Sequence, residues 1–433
     1  MSSAGFVKRL PVLLRPNPAR TVIRPYMPST ESYKYQPPDR PRSQRIADRV
    51  LALDNQTLRQ EVERVLRDFS GRHRDVSALF LRRYHEVEGI EFCKCQASDE
   101  QALLIGAHFC HEYSYEAAAL FNPSIVPHPD QSDVPEGAQR FILSLRGVGE
   151  GHISSITFRT GLCLADGSIA INSPSPRPVV LATENISATE GPDAGIRIIC
   201  DGSHDLSEIV IFPTTPSQKG GVEDLRLVRF TADDGQISYH GTYTAYSGHS
   251  VRQELLSTAD FRHFTLRPLR GDATASKGMA LFPKAIDGKF AMLGRADNEN
   301  IWFLTSTDIH EWNGGAIAVE PRWPWEFVQI GNCGSPIEID EGWLVVTHGV
   351  GAVRNYCIGA CLLDRKDPSK LLARTKQPLL RSDMEEREGY VPNVAYSCGS
   401  MLHGRQLILP YALADSFTTF VTIDLSDLLS AMD

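Results

Sequence analysis

The sequence predicts a mainly β protein, a five-bladed β-propeller that follows an N-terminal α-helical region and an extended arm. From Asn122 onward the apolar residues come in short β-branched and aromatic runs broken by Gly, Pro, Asn and Asp, the pattern of strands and tight turns. Five turn signals between such runs, Asp166-Gly167, Asp234-Gly235, Asp287-Gly288, Asp340-Glu341-Gly342 and His403-Gly404, recur about every 60 residues. Ser257-Thr258-Ala259-Asp260 with Phe264 is echoed by Thr305-Ser306-Thr307-Asp308 with Trp312, each with an aromatic residue at the same distance past the aspartate. Repeats of that length with several strands each are what propeller blades look like, and the ~310 residues of this region divide into five.

Residues 1–41 form the arm, rich in Pro and Arg, with Pro11, Pro16, Pro18, Pro25, Pro28, Pro37, Pro38 and Pro41 favouring extended backbone. Its apolar residues Val12, Leu13, Leu14, Val22 and Ile23 favour docking against the body or a neighbouring subunit. Residues 42–121 change period. Ser43 is placed to cap a helix carrying Ile46, Val50 and Leu51, and Asn55 one carrying Leu58, Val62, Val65 and Leu66. Val76, Leu79, Phe80 and Tyr84 mark a third, and Ser98-Asp99 opens a fourth with Leu103, Leu104, Ala107 and His111. Residues 122–433 are the expected propeller and catalytic domain.

Composition narrows the function. At 433 residues the chain is long enough for one repetitive domain or two domains. A net charge of −9 with no Lys/Arg cluster in the body argues against nucleic acid. Nine scattered cysteines without a zinc-type pair read as thiols in a reducing compartment, and no apolar run is long enough to span a membrane, so a cytoplasmic protein is expected. His108-Phe109-Cys110-His111-Glu112 lacks the His-Glu-x-x-His spacing and reads as helix packing, so no metal site is expected.

The run Gly220-Gly221-Val222-Glu223-Asp224-Leu225-Arg226 places two carboxylates and an arginine behind two glycines at the start of a strand-like segment. Adjacent residues on a strand point to opposite faces, so one carboxylate is expected to face a pocket and the other the scaffold, with Arg226 on the face of Asp224. A carboxylate beside a guanidinium suits an acid aimed at a polar substrate, although alone such a run is commoner as a surface ion pair. Other segments are too polar for their apolar surroundings: Phe121-Asn122-Pro123, Ser144-Leu145-Arg146, Gly149-Glu150-Gly151-His152, Ser276-Lys277-Gly278, Gly294-Arg295, Trp325-Glu326 leading to Gln329, Thr347-His348-Gly349, Arg354-Asn355-Tyr356, Tyr390-Val391-Pro392-Asn393 and Tyr411 leading to Asp415. They recur once or twice per blade, as a pocket on a propeller axis requires.

This ordered series resembles glycoside hydrolase family 130, the β-mannoside phosphorylases and mannosidases built on five-bladed propellers. Its anchors are GVEDLR, LFPKAIDGKFAML with Arg295, WEFVQIG, GWLVVTHGV, GACLLD and GYVPNV, and it spans residues 121 to 430. The resemblance implies that Asp224 is the general acid, reaching the leaving oxygen through the 3-hydroxyl of the bound mannose, with Leu225 where the family has proline. It implies that Asn122, Arg146 and Asp415 line the mannose subsite, and Glu223 and Arg226 flank Asp224 as further substrate-binding candidates.

At the phosphate site the chain departs from the family. Lys277-Gly278 stands where phosphorylases carry an Arg-Asn pair and Gln329 where they carry lysine, while Arg295, His348 and Tyr356 are kept. A point charge replaces a bidentate fork and one cation is lost, a deficit that Arg354 can offset. The resemblance thus implies an inverting enzyme cleaving β-mannosidic linkages, β-1,2 foremost, in manno-oligosaccharides, with no cofactor. The lost charge tilts the expectation to hydrolysis, with Glu326 or Glu150 as base. The alternatives are a phosphorylase using inorganic phosphate to release α-mannose 1-phosphate, and a non-catalytic sugar-binding propeller. The arm and helices suit a homo-oligomer.

Overall fold

The structure, a computed structural model, describes residues 5–29, 40–179, 181–186, 195–383 and 386–433. The chain is mainly β and divides into two compact units, one of Ala19–Ser114 with Pro176–Val180, the other of Met1–Pro18, Tyr115–Ser175 and Leu181–Asp433.

The first unit holds four helices, α1 (Arg42–Leu51), α2 (Asn55–Ser70), α3 (Val76–Val87) and α4 (Asp99–His108), and a two-stranded ribbon of Thr21–Pro25 with Cys110–Ser114. Val50, Leu58, Val62, Phe80, Tyr84, Leu104 and Ile105 form its core, at the spacings expected of helices. Two caps differ from expectation. Pro41 precedes α1 without a side-chain cap, because Ser43 donates its hydroxyl to the Glu91 carbonyl. Asp54, not Asn55, caps α2 by accepting from the Gln56 and Thr57 amides. Ser98 and Gln101 form a capping box on α4. Gly106 lets α4 close on α3, since a Cβ there would lie 1.9 Å from the Phe80 carbonyl oxygen.

The second unit is built from antiparallel strands in five groups. The first comprises Ala119–Pro127, Gln139–Val148 and Ser154–Cys163, edged by Ile169–Ile171 and Val210–Ile211. The second runs Gly221–Thr231, Ile237–Tyr246, Val251–Thr258 and His263–Pro268, then Gly195–Ile199 and Ala182–Ile186. A single parallel bridge, Gly221 to Ser154, joins these two into one sheet. The third is Ala280–Leu281, Phe290–Gly294, Ile301–Ser306 and Ala316–Val319. The fourth is Gln329–Asn332, Gly342–Val350, Tyr356–Leu363 and Leu371–Arg374. The fifth is Ala395–Tyr396, Gln406–Leu413 and Phe417–Asp424, completed by Val7–Leu14 from the arm.

Alternation along these strands fills the spaces between groups. Trp343 and Val345 pack with Phe282, Ala291 and Leu293 of the third group, while Leu344 and Val346 pack with Leu407, Leu409 and Val421 of the fifth. Val228, Phe230 and Leu255 meet Leu281, Met292 and Leu304, and Ile142, Ile156 and Phe158 meet Leu225, Leu227 and Tyr239. A fifth core joins the last group to the first, with Leu10, Ile408 and Phe420 against Leu120, Ile125 and Leu143. Four of the five turn signals open the hairpin onto the second strand of their group. Asp166-Gly167 instead joins Ser154–Cys163 to Ile169–Ile171, one hairpin further on.

Val7–Leu14 covers the edge that Phe417–Asp424 would otherwise present. Leu10→Ala is expected to cost about 2–5 kcal/mol in urea denaturation. Removing residues 1–14 is expected to cost more and to promote aggregation, read by light scattering.

Candidate active site

The site begins with a break in strand alternation. Gly221–Thr231 pairs Glu223 with Thr244 and then Arg226 with Thr242, so one extra residue bulges out. Asp224 takes a left-handed φ of 57° at that bulge. Glu223 and Asp224 therefore reach the same guanidinium, correcting the expectation of opposite faces. Arg146 Nη2 donates to Glu223 Oε1 at 2.8 Å and Nη1 to Asp224 Oδ1 at 3.1 Å. Its Nε donates to Ser154 Oγ at 2.9 Å, and the group lies 4.9 Å from the Phe121 ring centroid. Lys277 Nζ donates to Glu223 Oε2 at 2.8 Å, and Asn122 Nδ2 to Asp224 Oδ1 at 2.7 Å. Arg226 reaches past this cluster, donating to Asn332 O and Oδ1 at 2.9 and 2.8 Å and to the Tyr396 hydroxyl at 2.6 Å.

A second cluster surrounds His348. Its Nδ1 lies 3.2 Å from the Asn332 carbonyl, which can only accept, so Nδ1 carries the proton and Nε2 accepts from Arg295 Nη1 at 3.3 Å. Burial, then the charges of Arg295 and Arg226, push the imidazole pKa well below its usual value, and His348 is neutral. With its amide oriented to satisfy its neighbours, Gln329 accepts from Arg295 and donates to the Asn298 carbonyl at 3.3 Å. Tyr356 stacks on His348 at 6.0 Å between centroids, Tyr396 meets it edge-on at 4.9 Å, and Arg354 lies 5.9 Å from the Tyr356 ring.

These clusters border a cavity of about 180 Å³. Asn122, Arg146, Asp224, Arg226, Lys277, Arg295, Arg354, Tyr356 and Asp415 line it, and Glu223, Gln329 and His348 contact that lining from behind. Five cations thus face two carboxylates. Asn122, Asp224, Arg354 and Asp415 all have positive φ, from 49° to 57°, the sort of local strain that persists where surrounding structure fixes it. Asn122 Oδ1 and Arg295 Nε are buried without a hydrogen-bond partner among the described residues, leaving an acceptor and a donor for a polar ligand.

The two carboxyls have opposite environments. Burial alone would raise Asp224, but Arg146, Lys277 and the bond from Asn122 outweigh it and hold the group below the usual carboxylate range. Burial, then the nearby Asp224 charge, push Asp415 up to about 6.

Neither expected base reaches the cavity lining. Glu326 is buried, takes Arg374 Nη2 at 2.6 Å and caps the turn before it by accepting from the Arg322 and Trp323 amides. Glu150 sits on the exposed turn Glu150–His152. Sequence reasoning missed Thr244, Gln253 and Tyr396, which also line the cavity. Tyr396 follows the Tyr390–Val394 motif by two residues and so had a signal, whereas Thr244 and Gln253 are visible only through the pairing of their strands.

A family model described as beta-1,4-mannooligosaccharide phosphorylase matches residues 154–433. The chain is 30% identical over 227 residues to a 1,2-beta-oligomannan phosphorylase of Thermoanaerobacter sp. (strain X514), covering 52% of this chain and 75% of that one. It is 28% identical over 233 residues to a beta-1,2-mannobiose phosphorylase of Listeria innocua, covering 52% of this chain and 63% of that one, just under two thirds of its length. Among solved structures, the Listeria innocua beta-1,2-mannobiose phosphorylase in complex with beta-1,2-mannobiose superimposes with a TM-score of 0.51 at 23% identity, over 72% of this chain and 92% of that one. A glycosyl hydrolase from Bacteroides ovatus gives 0.52 at 20% identity, over 73% and 86%. At these identities the structures share the fold.

The raised Asp415 carboxyl has a consequence for stability. A folded-state pKa of about 6 against an ordinary 3.8 favours the fold below 3.8, and that contribution is lost as pH rises through 6. Asp415→Asn is therefore expected to melt higher than the parent at pH 8, by up to roughly 3 kcal/mol, with the gain shrinking by pH 4. Thermal melts across pH check this.

Proposed function

The chain belongs to glycoside hydrolase family 130, and from that premise we propose that it is an inverting β-mannoside phosphorylase acting on β-1,2-linked manno-oligosaccharides. The observation that carries this reading is the excess of cations in the cavity. A phosphate dianion needs compensating charge, and each charged hydrogen bond supplies about 1.5–3 kcal/mol. Arg295 has the neutral partners Gln329 and His348, and Arg226 has Asn332 and Tyr396, so neither charge is spent on a carboxylate hydrogen bond. Arg354 stands exposed at the rim. The hydrolytic expectation loses its support, because Glu326 is committed to Arg374 and Glu150 is not part of the cavity lining.

We read the five strand groups as blades of a five-bladed propeller with the cavity on its axis. The five cores between successive groups, the last joining the fifth to the first, support this. So does the origin of the lining: Asn122 and Arg146 from the first group, Asp224 from the second, Lys277 and Arg295 beside the third, Tyr356 from the fourth, Tyr396 and Asp415 from the fifth.

In this reading the mannosyl ring lies against Asn122, Arg146, Asp224 and Asp415, the ionised Asp224 accepting from a ring hydroxyl. Phosphate lies among Arg295, Arg354, Lys277 and Tyr356, with neutral His348 fixing the Arg295 fork. Attack at C1 from the face opposite the leaving sugar gives α-mannose 1-phosphate with inversion, a phosphate occupying the place that water takes in inverting hydrolases. Nine unpaired cysteines suit a reducing, cytoplasmic setting.

Incubation with β-1,2-mannobiose is expected to yield mannose and α-mannose 1-phosphate only when phosphate is present. Equal release of mannose without phosphate would overturn the reading. Arg295→Ala is expected to raise the KM for phosphate about 10- to 100-fold, and Asp224→Asn to lower kcat by about 100-fold or more.

A further inference from the structure

We propose that a second cleft, beside the reaction cavity, is a carbohydrate-binding site in which the indoles of Trp323 and Trp325 hold a sugar unit remote from the bond that reacts. The identity of that sugar rests on the mannoside reading. The cleft measures about 330 Å³, within the ~300–1,000 Å³ of small-ligand sites, and its polar lining includes Asn355, Lys376 and Arg381.

Trp325 lies on bare backbone. Gly349 and Gly359 stand on the paired strands Gly342–Val350 and Tyr356–Leu363, and a Cβ on either would lie 2.5 Å from the six-membered part of the indole. Trp325 Nε1 donates to the Lys376 carbonyl at 3.1 Å, which fixes the rotation of the ring. Neighbouring residues on a strand point to opposite faces, so Gly349 and the ring upon it face away from the His348 cluster. The turn Ala352–Arg354 is the wall between the two spaces. Arg354 lines the reaction cavity, whereas Ala352 and Asn355 line the cleft.

Glu326 makes this platform rigid. Its carboxylate accepts from the Arg322 and Trp323 amides and from Arg374 Nη2, while Arg374 Nη1 donates to the Glu320 carbonyl. Both side chains are buried. The carboxylate expected to be a base is thus the anchor of the segment that bears both tryptophans. Trp323 has the Arg322 guanidinium 5.0 Å from its ring centroid, and its Nε1 is buried without a hydrogen-bond partner among the described residues. A pyranose offers C–H bonds on a face and hydroxyls around its edge. Fixed indoles beside an unspent N–H, an amide and two cations suit both parts, and little has to be ordered on binding.

Calorimetric titration without phosphate tests the site and needs no turnover. Trp323→Ala is expected to weaken β-1,2-mannotetraose about tenfold and to leave β-1,2-mannobiose within about twofold of the parent. Arg381→Ala, a change at an exposed position, is expected to weaken the tetraose about threefold and to decide the matter if Trp323→Ala melts too low to titrate. With phosphate, the same variants should raise KM for the tetraose by those factors and leave kcat unchanged. Equal weakening of both sugars, or of neither, would overturn the proposal, as would a parent that binds neither. If the parent binds both sugars but turns over neither with phosphate, the phosphorylase reading fails, and the second site stands or falls on the difference between the two sugars.

Discussion

The guanidinium of Arg146 is the constraint on which the site depends. Two carboxylates adjacent in sequence are forced onto one face by a strand bulge, and their repulsion has to be offset where both are largely buried. A single planar fork reaches one oxygen of each, while its third direction is fixed by Ser154 and its face by Phe121. Lysine could not do this, having one charged centre rather than a fork. Once Arg146 is fixed, Asp224 is held as an anion, Glu223 is left to draw Lys277 in from beside the third group, and this wall of the cavity is set.

That arrangement is affordable only on a stiff frame. Left-handed backbone at Asn122, Asp224, Arg354 and Asp415 costs on the order of 1–3 kcal/mol at each position. The compensation lies in the apolar cores between the strand groups, where alternate residues of Gly342–Val350 are buried against partners on either side. Val7–Leu14 matters to this balance from a distance, because it pairs with Phe417–Asp424 and completes the core beside the turn that carries Asp415.

The sequence carried the periodic part of this plan and not the local exceptions. Helical spacing from Ile46 to Leu104 and turn glycines from Gly167 to Gly404 are repeated signals, so the helices and strand groups were legible even though Asp166-Gly167 marks a later hairpin than the others. A bulge is one inserted residue whose effect is decided by the partner strand, and nothing in Glu223-Asp224-Leu225-Arg226 itself announces it. Glu326 shows the opposite failure. It stands in the run that leads to Gln329, a partner of Arg295, yet a local turn and Arg374 claim its carboxylate. Lys277 lines the cavity, but its commitment to Glu223 depends on a residue 54 positions away and is not legible in its own segment.

The charge deficit that first pointed to hydrolysis is better judged by where charge is already spent than by counting cations. Lys277 and Arg146 are neutralised by Glu223 and Asp224, so lysine in place of arginine at position 277 removes little free charge from the cavity. The positions that matter are those with neutral partners. Gln329 in place of a lysine loses one charge but lends Arg295 a carbonyl instead of repelling it, and the neutral His348 accepts from the same guanidinium without diluting its charge. Burial opposes the charge on Arg295, lowering its pKa, which is a cost to the protein that an anion in the cavity would relieve. A guanidinium without a carboxylate hydrogen-bond partner in the cavity therefore favours the proposed phosphate over water and a base as its occupant.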